Sequence, residues 1–303
     1  MMNKILKVAI IGLDTSHSTA FASFMLDPET RPEFKIDSML PTRCLRFETP
    51  FQDAEGLDKR QAIMESLGVE VGTDFDWAVA DCDAIMMNIN DPSYHVEYFE
   101  KCAKLGKPIY IDKPVAGTVA DTRKIYELAE KYNVRFFSAS SLRFDIDLEE
   151  TLEAGDITAK SAIVWGPVGV APAGSSIVWY GVHAFEMLER IMGIGAASVT
   201  VVNDAKGHVC TVEYADGRRG IVELTRKCPR YGALLRDDES GAVMIKSGGR
   251  VPFYVRLLKR IDSFFRGDDS AGVPLDESME IMKLLEAADL SSQSGKTVYL
   301  NDL

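Results

Sequence analysis

Short, wholly apolar runs alternate with stretches of helical periodicity through the first part of the chain, and this alternation constrains the fold most. The predicted strands cover residues 8–13, 34–40, 83–89, 108–111 and 134–139. Strands that are apolar at every central position are typical of a parallel sheet that helices cover on both faces. The order strand, helix, strand, helix with short links therefore predicts a doubly wound, Rossmann-like α/β domain.

The pattern changes after about residue 145, where strands follow one another with few helices between them. These strands are predicted at residues 161–165, 198–203, 208–214, 220–225, 232–236 and 243–246, and Asp216-Gly217 is a hairpin turn signal. Two helices, at 251–266 and 276–288, and a short strand at 297–300 end the chain. We therefore predict a dinucleotide-binding domain over residues 1–142 and an α+β domain over 143–303, with an open, mainly antiparallel sheet.

Charge and cysteine content narrow the function classes. The 303 residues include 34 Lys and Arg against 46 Asp and Glu, a formal net charge of −12, which argues against a nucleic-acid or anionic-membrane partner. The five cysteines are scattered, with no C-x-x-C pair, and no metal-ligand spacing is present. The N-terminal apolar run is too short for a signal peptide or a membrane span. We expect a cytoplasmic protein that acts on small molecules without a metal.

The turn after the first strand reads Gly12-Leu13-Asp14-Thr15-Ser16-His17. A dinucleotide site favours G-x-G-x-x-G here, because the backbone must let a pyrophosphate approach the helix N-terminus. Gly12 matches the first position, whereas Asp14 is expected to repel a phosphate and His17 to push the helix away from the sheet. Thr15 and Ser16 could offer hydroxyl groups to a phosphate. In the alternative interpretation, Asp14, Thr15 and Ser16 simply cap the helix.

The second strand should end in an acidic residue if it holds the ribose of NAD. With the strand ending at Leu40, its tip is Pro41-Thr42-Arg43, which has no carboxylate. Thr42 and Arg43 are therefore candidates for the adenosine end of the cofactor. Arg43 facing a 2′-phosphate would favour NADP, and the alternative is a solvated loop arginine. The choice between NAD and NADP stays open.

Lys113 follows the buried strand 108–111 and precedes Pro114, a residue that keeps its neighbour extended. Ligands of open α/β sheets bind at the carboxyl ends of the strands. A lysine at this place can orient a ribose or a substrate hydroxyl group as a fixed cation. The alternative is a surface lysine in a turn.

Several short motifs, in this order and spacing, resemble those of the Gfo/Idh/MocA oxidoreductase family over nearly the whole chain. Asp112-Lys113-Pro114 is similar to the family's Glu-Lys-Pro signature, and Leu142-Arg143-Phe144 is similar to the segment that enters the second domain. The other matching segments are the Gly12 turn, Asp83-Ala84-Ile85 leading to His95, Glu286-Ala287-Ala288, and Ser294 to Leu300. The resemblance implies an NAD or NADP cofactor, with Asp112 and Lys113 beside it and the Asn90 loop near the nicotinamide ribose. His95 is expected to be structural.

Gly181 and His183 resemble the family's Asp-x-Gly-x-His element, in which the histidine is a general acid or base beside the substrate. The resemblance implies this role for His183. The family's assisting carboxylate is replaced by Trp179, whose indole cannot accept the imidazole proton. Glu186, from the adjacent helical turn, or Tyr180, as a relay, could take its place, and both alternatives stay open.

The resemblance implies an NAD(P)-dependent oxidoreductase that transfers hydride at a hydroxyl-bearing carbon of a sugar, polyol or related compound. In this interpretation His183 and Lys113 are catalytic, and Arg143, Trp179, Tyr180 and Glu186 lie on the substrate side. The open sheet would form a homodimer or homotetramer. The departures at Asp14, His17 and Trp179 leave two rivals: a catalytically silent ligand-binding or regulatory protein, and a redox-neutral enzyme that holds its cofactor tightly.

Overall fold

A computed structural model describes residues 4–155, 158–228, 230–237, 241–248 and 250–303. The chain forms two compact units, Met1–Ala139 with Tyr254–Val273, and Ser140–Phe253 with Pro274–Leu303. The sequence predicted a single boundary at residue 142 and placed the helix at 251–266 in the second domain. Most of that helix instead packs in the first unit, where the ring of Phe264 lies 4.8 Å from that of Phe137. A contact between apolar faces so far apart in sequence is invisible to local pattern.

The first unit is built on a parallel sheet with the strand order β3-β2-β1-β4-β5-β6. This order is that of dinucleotide-binding folds and confirms the predicted doubly wound domain. The strands are β1 (Leu6–Ile11), β2 (Met39–Leu45), β3 (Glu70–Gly72), β4 (Ala84–Met87), β5 (Ile109–Asp112) and β6 (Phe136–Ala139). The helices are α1 (Ser16–Leu26), α2 (Ala54–Ser66), α3 (Phe75–Val79), α4 (His95–Ala103), α5 (Val119–Tyr132) and, later in the chain, α8 (Phe253–Phe265).

The second strand was predicted too early in the chain, at residues 34–40. In the structure Pro32–Phe34 is a 3-10 turn, and β2 runs from Met39 to Leu45. The β1–β2 register shifts between Val8 and Ala9, so that Val8 pairs with Pro41 and Ala9 with Arg43. Proline is tolerated inside a sheet at such bulges. Pro41 therefore lies within the strand, although the sequence predicted that it follows the strand's end.

The second unit contains a seven-stranded sheet with the order β12-β11-β7-β10-β9-β8-β13. Only the β7–β10 pair is parallel among the described ladders, which confirms the predicted mainly antiparallel sheet. Its strands are β7 (Ser161–Pro167), β8 (Ala196–Asn203), β9 (Gly207–Tyr214), β10 (Arg219–Thr225), β11 (Gly232–Arg236), β12 (Ala242–Lys246) and β13 (Val298–Tyr299). Its helices are α6 (Ile146–Ala154), α7 (Val182–Met192) and α9 (Leu275–Ser294).

One face of this sheet is packed against α7 and α9. Along β7 the residues alternate, with Ala162 and Val164 buried and Ile163 only partly buried. On the face away from the helices, the side chains of Met244 and Val202 are 57% and 64% exposed. None of the helices in the described ranges has the length and apolar composition needed to cross a membrane.

Candidate functional site

Gly12 directly follows β1, where the backbone passes close to the end of β4. Its φ is +106°, and a Cβ at this position would lie 2.3 Å from the carbonyl oxygen of Asn88. A side chain is excluded both by this contact and by the left-handed conformation. Gly12 therefore lets the first turn cross directly beside the end of β4.

Asp14 points into the first unit instead of towards a ligand. Its carboxylate accepts hydrogen bonds from the backbone N–H groups of Asn90 and Asp91, at 2.9 and 3.3 Å, and from the Thr49 hydroxyl group, at 2.7 Å. Burial raises the pKa of Asp14, although these hydrogen bonds oppose the rise. The expectation that this carboxylate lies in the place of a phosphate is therefore wrong, because the loop after β4 encloses it. Through its hydrogen bond to the Asn90 backbone, Asp14 holds Asn90 beside the turn.

Backbone N–H groups at the N-terminus of α1 remain available as hydrogen-bond donors. The Thr15 hydroxyl group caps the helix by accepting the N–H of His17, at 3.2 Å. The first N–H groups of a helix have no partner within it, and in the described part of the chain those of Thr15 and Ser16 meet no acceptor. The guanidinium of Arg60, from α2, donates to the carbonyl group of Leu13 at 3.1 Å and adds positive charge next to the turn. These donors fit an anion such as a phosphate.

His17 lies at the carboxyl end of β5. Its Nδ1 is 2.7 Å from an oxygen of Asp112, and its ring stacks on Phe21 and meets the edge of Tyr254. The other oxygen of Asp112 accepts the backbone N–H of Lys113 at 3.0 Å. Burial is the largest single effect and would raise the pKa of Asp112, but the interactions with His17 and Lys113 together lower the pKa to about 2. His17 thus does not separate the helix from the sheet, as the sequence predicted, because its ring occupies a polar position at the sheet edge.

Thr42 and Arg43, the predicted adenosine-side residues, lie inside β2 and not at its end. Arg43 donates to the carbonyl group of Trp77 at 2.8 Å, and its guanidinium lies 5.1 Å from the Trp77 ring. This correction follows from the later start of β2. The residue that follows the strand is Arg46, whose guanidinium contacts Asp58 and Gln61, each at 2.6 Å.

Two further predicted residues flank this edge of the sheet. Lys113 is 5% exposed and immediately follows Asp112, so its backbone is fixed by that carboxylate. His95 is fully buried, with its ring nitrogens each 2.9 Å from the carbonyl oxygens of Val115 and Ile89. His95 therefore joins two loops of the first unit, in agreement with the structural role expected for it.

In the second unit, His183 has a serine as its hydrogen-bond partner. Its Nδ1 lies 2.7 Å from the hydroxyl oxygen of Ser140, and the backbone N–H of Ser140 donates to Glu186 at 2.7 Å. Ser140 therefore links the histidine to the buried carboxylate of Glu186. Sequence reasoning missed Ser140, although its place directly after β6, at the carboxyl end of a parallel strand, was a usable signal.

Trp179 and Tyr180 belong to a π-helical turn, Ile177–Gly181, that precedes α7. Such a turn changes the helical register of Trp179 and Tyr180 relative to His183. The Tyr180 ring is 5.3 Å from the His183 ring and approaches it with its edge, and Tyr231 does the same at 5.7 Å. Trp179 contacts Tyr180 at 5.2 Å. Aromatic packing thus orients the imidazole where the sequence led us to look for a carboxylate.

Arg143, predicted to face the substrate, is committed to carboxylates within the second unit. Its side chain is 5% exposed, and its two terminal nitrogens form ion pairs with Glu189 and Glu277. The buried Glu189 needs this partner, because an uncompensated charge in the interior is costly. The observed contacts therefore correct the substrate-binding prediction for Arg143 and give it a structural role.

The described residues hold no group of three or more His, Cys, Asp or Glu that suits a metal ion.

Comparisons with known proteins agree with this geometry. Residues 53–140 match the Gfo/Idh/MocA family, described as an oxidoreductase family with an NAD-binding Rossmann fold. The rhizopine catabolism protein MocA of Rhizobium meliloti is 23% identical over 241 residues, which cover 67% of this chain and 76% of that protein. The myo-inositol 2-dehydrogenase of Thermotoga maritima is 25% identical over 196 residues, which cover 56% of this chain and 58% of that enzyme.

A solved structure extends the likeness to both units. GenD2 from gentamicin A biosynthesis, in complex with NAD, matches with a TM-score of 0.77 at 18% identity, covering 99% of this chain and 97% of GenD2. At this identity the match shows the fold alone. The first unit has the strand order of dinucleotide-binding Rossmann domains. Residues 53–140 thus resemble the NAD-binding domain of the Gfo/Idh/MocA family.

Proposed function

We propose that this protein is a dehydrogenase that transfers hydride between NAD(P) and a hydroxyl-bearing carbon of a sugar, polyol or related compound. The observation that carries the proposal is the first turn, where the charge of Asp14 is internal and the N–H groups of Thr15 and Ser16 are available to an anion. The family supplies the reaction class. The inositol dehydrogenase among the relatives supports a polyol substrate.

Residues at the sheet edge of the first unit would hold the cofactor. Gly12 permits the close turn, Thr15 and Ser16 present donors to the diphosphate, and Arg60 adds positive charge. We infer from the family resemblance that the Asn90 loop and Lys113 would lie on the nicotinamide side. The bound nicotinamide would supply the acceptor or donor of hydride.

His183 is proposed to take the substrate hydroxyl proton as hydride leaves the same carbon. For this role Nε2 must be unprotonated, so Nδ1–H must donate to the Ser140 hydroxyl oxygen, 2.7 Å away. That oxygen already accepts the N–H of Leu142 at 3.1 Å and has a second lone pair for His183. Ser140 thus sets the tautomer of the base, and Glu186 holds the backbone of Ser140 in place.

Lys113 is proposed to fix the substrate hydroxyl oxygen and the cofactor ribose as a buried cation. The positive charge would stabilise an alkoxide that develops on the substrate oxygen. Tyr180 and Trp179 would contact the carbon face of a cyclic polyol, since aromatic rings pack well against such surfaces.

Fluorescence titration with NADH and NADPH tests the cofactor, and reduction of NAD⁺ or NADP⁺ by a panel of inositols and sugar alcohols tests the substrate class. His183→Asn should lower turnover about 10²-fold or more, with cofactor affinity retained. His208→Asn, a change at a β9 histidine, serves as the matched control. Absence of cofactor binding at millimolar concentration would falsify the proposal. Binding without turnover of any panel member would favour the silent ligand-binding protein or the redox-neutral enzyme.

We further propose a homodimer or homotetramer formed through the open sheet of the second unit. Four apolar residues, one on each of β7, β10, β11 and β12, stand in register across the face away from α7 and α9, namely Ile163, Ile221, Leu234 and Met244. Burial of this row would contribute apolar area to such an interface. Light scattering tests this proposal. Leu234→Glu should dissociate the oligomer, whereas Lys160→Glu is the control and should leave it intact.

We also propose a cytoplasmic location, which the free cysteines support.

A further inference from the structure

His17 has one ring nitrogen held and the other available. Asp112, 1% exposed, accepts from Nδ1 at 2.7 Å, and its carboxyl group is ionised at neutral pH, so the proton on Nδ1 must belong to His17. Nε2 has no hydrogen-bond partner in the described part of the chain, and the side chain is 13% exposed. The carboxylate therefore fixes the ring and leaves Nε2 to a group outside the chain.

A second, independent observation indicates that this part of the sheet edge is built for a polar occupant. Asn88 is fully buried, and among the described residues neither its amide nitrogen nor its amide oxygen finds a hydrogen-bond partner. The register pairs Met87 with Ile111. Asn88 directly follows β4, and continuing this register by one residue puts it level with Asp112. Residues at the same level of neighbouring strands share a face of the sheet. A buried amide is costly without a partner and normally implies one.

The charges around the imidazole favour a bound anion. Asp112 lies on its β5 side, Lys113 follows directly in the chain, and the neighbouring rings from α1 and α8, Phe21 and Tyr254, carry no charge at neutral pH. The carboxylate of Asp14 accepts hydrogen bonds from Thr49 and from the loop after β4, so it does not face the turn. A protonated His17 would thus add a cationic donor to the open N–H groups at the start of α1.

We propose that His17, oriented by Asp112, donates from Nε2 to an anionic oxygen of the dinucleotide's diphosphate, an inference that rests on the proposed function. In a glycine turn, close backbone approach provides the contact. Here a side chain provides it, as a charge-assisted hydrogen bond from the imidazolium. Because Nδ1–H already donates to Asp112, this contact uses a ring that carries a proton on both nitrogens.

The test is equilibrium binding of NADH, or of NADPH if it binds more tightly, to the wild-type protein between pH 6 and pH 8.5. We expect the Kd to rise about tenfold over this range for the wild type. His17→Gln, which keeps a donor without the charge, should bind about tenfold more weakly at pH 6 and lose the pH dependence. Asp112→Asn should also flatten the profile, because the carboxylate that stabilises the imidazolium is gone. His208→Gln is the control and should match the wild type.

The imidazole nitrogen resonances of His17 in the wild-type protein provide a readout that does not depend on a variant folding. They should shift when ADP-ribose, which carries the diphosphate, is added, and stay unchanged with adenosine. A wild type that binds the cofactor, with His17→Gln showing the same Kd and pH profile, overturns this inference alone. A wild type that binds neither NADH nor NADPH overturns the proposed function as well.

Discussion

The hydroxyl oxygen of Ser140 lies 2.7 Å from Nδ1 of His183, and the backbone N–H of the same serine donates to Glu186. A single residue after β6 thus connects the candidate base to the buried carboxylate. We predict that Ser140→Ala lowers kcat about tenfold or more with little change in KM, because the ring loses the partner that sets its tautomer. Steady-state kinetics on the substrate found in the panel measures this.

Ser141→Ala is the matched control, since Ser141 is the next residue in the same 3-10 turn and has no contact with the imidazole in the described hydrogen bonds. Its kinetics should equal those of the wild type. An unchanged kcat in Ser140→Ala would show that the serine only shapes the turn.

Asp14 should stabilise the first unit without opposing the cofactor. Asp14→Ala removes the acceptor of three hydrogen bonds, from Asn90, Asp91 and Thr49. It should lower the free energy of unfolding by about 2–4 kcal/mol. Urea unfolding measures the loss, with the exposed Glu29→Ala as the control. Asp14→Ala should not tighten NADH binding, and a clear gain in affinity would mean that the carboxylate faces the phosphate after all.

The pair of Asp112 and His17 should contribute stability that depends on pH. The pKa of Asp112 is lowered from its ordinary value of 3.8 to about 2 in the folded protein. The contribution is therefore present above the unfolded-state value and is lost as the pH falls through about 2. The shift corresponds to roughly 2 kcal/mol at neutral pH.

Asp112→Asn should accordingly be less stable than the wild type at pH 7 by roughly 2 kcal/mol. This difference in the free energy of unfolding should shrink when it is measured at pH 4 and below. Glu97→Gln removes an exposed ion pair with Lys101 and should change stability by less than about 0.5 kcal/mol. A difference that stays constant with pH would contradict the assignment of the effect to the charge of Asp112.

Arg143 should matter for stability and not for ligand affinity. Arg143→Met leaves Glu189 buried without its partner and should cost about 3–5 kcal/mol in urea unfolding. The double variant Arg143→Met with Glu189→Gln should recover part of that loss, because the uncompensated charge is removed. If Arg143→Met instead raises KM without loss of stability, the guanidinium contacts the substrate.

The sequence predicted the sheet of the first unit well, because burial on both faces produces apolar runs that can be recognised locally. There are two exceptions. The short strand β3 (Glu70–Gly72) was not predicted, and the position of β2 depends on a bulge beside Pro41, which is set by pairing with β1 and leaves no local signal. For the same reason, Thr42 and Arg43 were predicted at the end of the strand, whereas they lie within it. The π-helical turn at Ile177–Gly181 likewise depends on packing, as Gly181 meets the side chain of Leu224 from another strand.

The order of apolar and polar residues by itself determined the two-part architecture and the parallel and antiparallel sheets. Lys113 became a candidate through its place after a buried strand, and His183 through the family resemblance. Only the tertiary structure decided which charges are internal. Asp14 is enclosed by Thr49 and Asn90, His17 meets Asp112, and Ser140 meets His183. These partners are separated by 35 to 95 residues. The direction of a short polar side chain follows from what the folded chain brings beside it, because an unpaired buried polar group is too costly to persist.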